Sequence, residues 1–264
     1  MSEPSTPNTW LVARYSPVSL FSLRSTYATS KGGKTLLIPT PYALKLALID
    51  VCFRAYPTSA AEKAARRVFD LIKAQPVRIQ PPAECIVQNT FLRVLQPERG
   101  ADDNEAGSGP FTRTIAYREF VFFSGEMEVA LGICGLDDSE ATELGRLMGH
   151  VNYFGKRGSF WQFLGMRRHQ DVLPPGFSLV MNEIDQHSLD IVGRYRVTEY
   201  LDDFGPKLCK AKDGFERIST YHDGIITLGE HRVLQPTLLP YRRETGGRHF
   251  THFRRTVPEV RNAR

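Results

Sequence analysis

The sequence predicts a mixed α+β fold, on three observations. Two early stretches repeat apolar residues at helical spacing. Short runs rich in β-branched and aromatic residues precede and follow them. Proline, glycine and acidic clusters punctuate the joins. With 264 residues and 41% hydrophobic composition, the chain can bury one large core or two small ones.

The elements follow in order. "TWLVARY" from Thr9 to Tyr15 has strand composition. "TPYALKLALIDVCFRA" opens with Thr40 as a candidate N-cap and Pro41 at the first helical position. Leu44, Leu48, Val51 and Ala55 then recur on one helical face. "SAAEKAARRVFDLIKA" is a second helix, with Ser59 and Glu62 at capping-box spacing and Ala61, Ala65, Val68 and Ile72 on its apolar face. Pro76 ends it.

Two strands are expected next, over Ala83 to Gln96 and Thr114 to Phe123. The polar stretch between them, rich in Gly, Asp and Glu, is a loop or a mobile tip. "EMEVALGI" alternates cleanly and continues the second of these strands after a Ser-Gly turn. "DDSEATELGRLMGHV" is a helix with acids in its first turn. A glycine-rich loop and the strand-like "SFWQFLG" close the series. The order is β-α-β-β-α-β, a ferredoxin-like or RNA-recognition-like pattern over residues 9–165. Residues 166–264 are expected to be a mostly β C-terminal region with a basic tail.

Charge is unevenly spread. The formal net charge is +5. From Tyr241 onward there are seven arginines and two glutamates, 7 − 2 = +5, so the first 240 residues sum to zero. Within them, "GKRGSFWQFLGMRRHQ" carries Lys156, Arg157, Arg167 and Arg168 and no acid, a local +4. Clustered cations suit a polyanionic partner, although a charge run also serves as an ordinary solvated face. In "VNYFGKRGSFWQFLG", the turn Gly155-Lys156-Arg157-Gly158 can bring backbone N–H groups and positive charge to a phosphate. Trp161 can stack on a base, or fill the core.

Other classes find little support. No run of about 18 apolar residues suggests a membrane span. "MSEPSTPNTW" lacks the features of a secretion signal, and four scattered cysteines form no C-x-x-C pair. The expectation is a cytoplasmic protein with reduced thiols and no metal or cofactor. "SKGGKT" approaches a phosphate-binding P-loop, but Ala28 stands where the first glycine belongs and "TLLIPTP" separates it from the helix. It is better taken as a flexible basic loop presenting Arg24, Lys31 and Lys34. His169, just after Arg167 and Arg168, could act with Lys156 as base and phosphate-stabilising cation of a metal-independent ribonuclease.

Three segments together resemble a known family. "FSLRSTYATSKGGKTLLIPTPYALKLALID" is similar to its opening strand, loop and Pro-initiated helix. "RTIAYREFVFF", which contains Arg118, is similar to the strand that follows its thumb. "YFGKRGSFWQF" resembles its glycine-rich loop. These features resemble the repeat-associated RNA-binding proteins of CRISPR systems, and among them the fifth Cas family, over roughly Trp10 to Gly165. The long basic C-terminal third departs from the pattern.

The resemblance implies a subunit that caps the 5′ handle of the crRNA in a type I Cascade surveillance complex. It would abut a backbone subunit and the large subunit, and meet target DNA only indirectly or near the PAM. Residues 96–113 would be the thumb, with Arg93 and Arg113 at its flanks. Two readings stand beside it: an endoribonuclease that trims repeat RNA, and an RNA-binding module outside CRISPR.

Overall fold

The computed structural model describes residues 9–26, 32–97, 111–156, 158–184, 192–219 and 222–256. In chain order these form β1 (Thr9–Pro17), β2 (Leu23–Arg24), β3 (Gly32–Gly33), β4 (Thr35–Leu36), α1 (Pro41–Ala55), α2 (Thr58–Ile72), β5 (Val77–Gln80), β6 (Glu84–Pro97), β7 (Phe111–Ser124), β8 (Met127–Gly132), α3 (Asp138–Gly149) and β9 (Trp161–Gln170). Then come β10 (Leu179–Val180), β11 (Val197–Phe204), two short helices, β12 (Arg232–Leu239), β13 (Tyr241–Gly246) and β14 (Phe250–Arg255).

A four-stranded sheet in the order β5-β8-β1-β9, antiparallel throughout, carries α1, α2 and α3 on one face. Alternation along β1 explains this. Leu11, Ala13 and Tyr15 enter the main core with the helices, while Trp10 and Val12 pack on the other face against Ala130 and Phe177. Thr40 caps α1, its hydroxyl accepting from the Ala43 N–H at 3.1 Å, and Pro41 follows at the first helical position. Leu44, Leu48 and Val51 are buried as their spacing predicts.

The cap expected at α2 is absent: the helix starts at Thr58, and no side chain satisfies its first N–H groups. α3 carries the box instead. The Asp137 carboxylate accepts from the Glu140 N–H and the Glu140 carboxylate accepts from the Asp137 N–H.

The chain is mixed α and β with antiparallel sheets, but two strands lie elsewhere than the sequence predicts. The expected pair over 83–96 and 114–123 does not join β1. As β6 and β7 it forms a long hairpin in a five-stranded sheet, β13-β14-β6-β7-β3. Beside β1 the sheet instead takes Met127–Gly132, a strand of its own and not a continuation of β7, and Val77–Gln80 pairs with that strand at the sheet's edge. Ser124 and Gly125, the latter at φ +124°, turn the chain from one sheet into the other.

The C-terminal region is woven into the same body. β9 runs through the boundary expected at 165/166, and β14 pairs with β6 from Glu84 to Gln88. Leu201, Phe204, Leu239 and Tyr241 lie in the main core cluster. Lys45 of α1 and Asp203 of β11 form a buried ion pair at 2.7 Å. The Glu199 carboxylate accepts from the Leu37 N–H at 2.9 Å, fixing the entrance to α1 against β11.

Candidate nucleic-acid interface

At the base of the β6–β7 hairpin, next to the first turn of α1, lies a cleft of about 670 Å³. Four separate stretches bring cations to it: Arg24 from β2, Arg118 from β7, Lys156 from the loop before β9, and Arg232 from β12. Two acids also line it, and both are paired. Asp50 bonds to Arg54 at 2.7 Å, and Asp202 accepts from the Nε of Arg232. The surplus is positive, and the α1 end that faces it has no acid in its first turn.

Local sequence explains how these groups are placed. Gly32 and Gly33 are not merely loop residues. As β3 they pair in parallel with Tyr117 and Arg118 of β7. A Cβ on Gly33 would come within 2.8 Å of the Tyr117 carbonyl oxygen and 2.5 Å of Arg118 Cδ, so glycine lets the segment lie under the arginine. The neighbouring Thr35 N–H donates to Glu119 at 3.0 Å, and Leu23 N–H donates to the Thr35 hydroxyl at 2.9 Å. "SKGGKT" thus serves, in its described part, as a docking strand rather than a nucleotide loop.

The glycine-rich loop is bound at its root and open at its tip. Gly155 has φ +66°, a left-handed conformation costly for any other residue, and abuts Leu23 and Ala43. Lys156 N–H donates to the Phe154 carbonyl at 2.8 Å, and Ser159 N–H to the Lys156 carbonyl at 2.9 Å. That turn leaves Lys156 and Gly158 exposed. The surrounding aromatics are its foundation. Trp161 is buried, and its ring meets Phe21, Phe123 and Phe154 at centroid distances of 5.0, 5.8 and 5.4 Å. Such pairs contribute about 0.5–1.5 kcal/mol each beyond their buried area. The expectation that Trp161 stacks on a base is therefore corrected: it presents no open face.

The basic segment read as one unit is divided. β9 begins at Trp161, and an extended chain rises about 3.3 Å per residue, so His169 lies about 26 Å along the strand from the loop end. Antiparallel pairing agrees, with Pro17 opposite Trp161 and Trp10 opposite His169. Arg167 makes a two-point bond to Glu128, one contact at 2.9 Å, and Arg168 bonds Asp138 at 2.6 Å. His169 Nε2 sits 3.0 Å from the Val172 carbonyl oxygen. These three belong to the sheet's far end, and the pairing of His169 with Lys156 is not assembled. Lys31 and Arg157 lie outside the described residues, as do 98–110 of the expected thumb.

Arg93 and Arg113 are exposed on the outer half of the hairpin, and Lys34 is exposed between β3 and β4. The register sets Phe91, Arg93 and Leu95 opposite Tyr117, Ile115 and Arg113, so all share one face. Phe91, Leu95, Phe111 and Ile115 are each more than half exposed. Arg232, with Tyr42 and Asp202, was not foreseen: "EHRVLQ" carries no motif, and only the packing of β11 and β12 beside α1 brings it to the cleft.

Among the described residues, no group of three or more His, Cys, Asp or Glu side chains could hold a metal, and no helix is long and apolar enough to cross a membrane.

No protein-family model matches the sequence. A CRISPR-associated protein Cas5 of Archaeoglobus fulgidus is 26% identical over 119 residues, which is 45% of this chain and 49% of that protein. The match thus spans about half the length of the relative. The crystal structure of a CRISPR protein from Archaeoglobus fulgidus aligns over 94% of this chain and 92% of its own, at 8% identity and a TM-score of 0.43. Over those 119 residues the chain is similar to a Cas5 protein, the family its own motifs resemble.

Proposed function

We propose that this chain is a crRNA-binding subunit of a type I CRISPR effector complex, seated on the 5′ handle of the guide. One observation carries the reading: Arg24, Arg118 and Lys156 converge with Gly155 and the first turn of α1 on a single cleft. Phosphate contacts there would supply most of the affinity and the dependence on salt. The strand order β5-β8-β1-β9, with its antiparallel pairing and helices on one face, supports a ferredoxin-like core for the subunit.

The β6–β7 hairpin is the thumb in this reading. Its outer half is a long ribbon with apolar side chains and two arginines on one open face, a surface suited to a neighbouring backbone subunit and to the guide. The large subunit and target DNA near the PAM would lie beyond it. In this reading the chain binds RNA without cutting it, and the length of β9, which holds His169 away from Lys156, supports it against the ribonuclease built on that pair.

The test is incubation of the purified protein with end-labelled repeat RNA in the presence of a chelator. The expected result is a retarded, intact RNA. Cleavage at one position, lost on His169→Ala, would overturn the reading in favour of a ribonuclease.

A further inference from the structure

We propose that Arg232 reads a guanine of the bound RNA, as a fork held in place by Asp202 and Tyr42. The inference rests on the RNA-binding reading of the same cleft and adds a residue that sets base preference.

Arg232 opens β12, and Asp202 lies on the adjacent β11, buried. The Nε of Arg232 donates to Asp202 Oδ2. Its guanidinium carbon sits 4.7 Å from the Tyr42 ring centroid. Tyr42 is itself braced by the edge-on ring of Phe204, with centroids 5.2 Å apart. The guanidinium is therefore fixed at its inner nitrogen and across its plane. Its terminal nitrogens, Nη1 and Nη2, donate to no acceptor among the described residues, although the side chain is only 37% exposed. An arginine needed only to neutralise Asp202 would use its two-nitrogen fork for the carboxylate. Here the fork is left over, in a residue that lines the cleft.

Two ligands match a fork: a phosphate, and the O6/N7 edge of guanine. The local charge decides between them. Asp202 cancels Arg232, so the pair offers a phosphate little net attraction and places a carboxylate near it. A neutral base edge with two acceptors gains both hydrogen bonds without needing net charge. The phosphates have Arg24, Arg118 and Lys156, from other elements, for that purpose. A good two-point contact of this kind discriminates against the wrong base by roughly tenfold or more.

The experiment equilibrates the whole protein with short single-stranded RNAs of randomised sequence and sequences the bound fraction. It is repeated with Arg232→Lys, which keeps the charge and loses the fork, and with Asp202→Asn/Arg232→Ala, which leaves no buried carboxylate alone. Thermal unfolding confirms that each variant folds. The wild-type protein is expected to enrich guanine at one position roughly tenfold, and 7-deazaguanine there, lacking the N7 acceptor, should weaken binding. In both variants the gap between guanine- and adenine-bearing RNAs should close.

Four outcomes overturn the proposal. Enrichment that survives in Arg232→Lys assigns the preference to another residue. Wild-type binding with no base preference removes the inference and leaves RNA binding intact. A loss shared by all sequences, with a shallower salt dependence, makes Arg232 a phosphate contact. No binding of any RNA by the wild-type protein overturns the RNA-binding reading, and this inference with it.

Discussion

Glu199 ties the pH response of the fold to one hydrogen bond. Its stem is half-buried, but its carboxylate is out of water: Oε1 accepts from the Leu37 N–H, and Oε2 has no partner among the described residues. Desolvation pushes its pKa up from 4.5 to about 8, against the smaller opposing effect of the Leu37 and Ile38 N–H groups. The folded chain therefore keeps a proton that the unfolded chain has released across that interval. Stability falls as pH rises from 4.5 to about 8 and levels off above. Glu199→Gln keeps an acceptor for Leu37 and removes the titration, so its melting temperature should fall less than the wild type's between pH 5 and pH 8. Parallel curves would contradict the assignment. Lys45 and Asp203 are held together as a buried ion pair. Lys45→Met strands Asp203 in the core and should cost about 3–5 kcal/mol in urea unfolding, whereas Lys45→Met/Asp203→Leu should recover much of it. A double variant no better than the single one would show that the pair is not coupled.

Among the elements, the β6–β7 hairpin has a local sequence that states its shape and hides its place. The β-branched and aromatic residues over Ala83 to Gln96 and Thr114 to Phe123 identify two strands. They do not say which sheet the strands join. The edge strand of the four-stranded sheet that escapes the sequence reading, Val77–Gln80, is only four residues long and is followed by Pro81 and Pro82, too short for a periodic signal. Helices were more legible, since Thr40, Pro41 and the Leu44/Leu48/Val51 stripe carry both cap and face. The hairpin's outer face is exposed at Phe91 and Ile115. Phe91→Ser/Ile115→Ser should leave stability within about 0.5 kcal/mol, because neither side chain is buried. The same variant should enter a reconstituted effector complex poorly. Normal assembly would leave the apolar face without the role assigned to it.

For the whole molecule, the cleft depends on chain segments that are far apart in sequence. Arg24, Gly155 and Lys156 could be picked from glycine-rich, basic stretches, and Arg118 from the resemblance of its strand. Arg232 could not, because its neighbours become informative only when β11 and β12 pack beside α1. The run from Lys156 to His169 misled for the opposite reason: residues close in sequence are carried apart by an extended strand, and Arg167 and Arg168 find acids of the same body. What remains at the cleft is a compact set of cations from different elements, on which the proposed RNA binding depends. The most direct test measures RNA affinity against salt concentration for the wild type and for Arg24→Ala/Arg118→Ala/Lys156→Ala, using single-stranded repeat RNA. Each phosphate contact to a single strand contributes about 0.7 to the slope of log affinity on log salt. The triple variant should therefore bind more weakly at low salt and lose about 2 from its slope. An unchanged affinity and an unchanged slope in a folded triple variant would contradict the account.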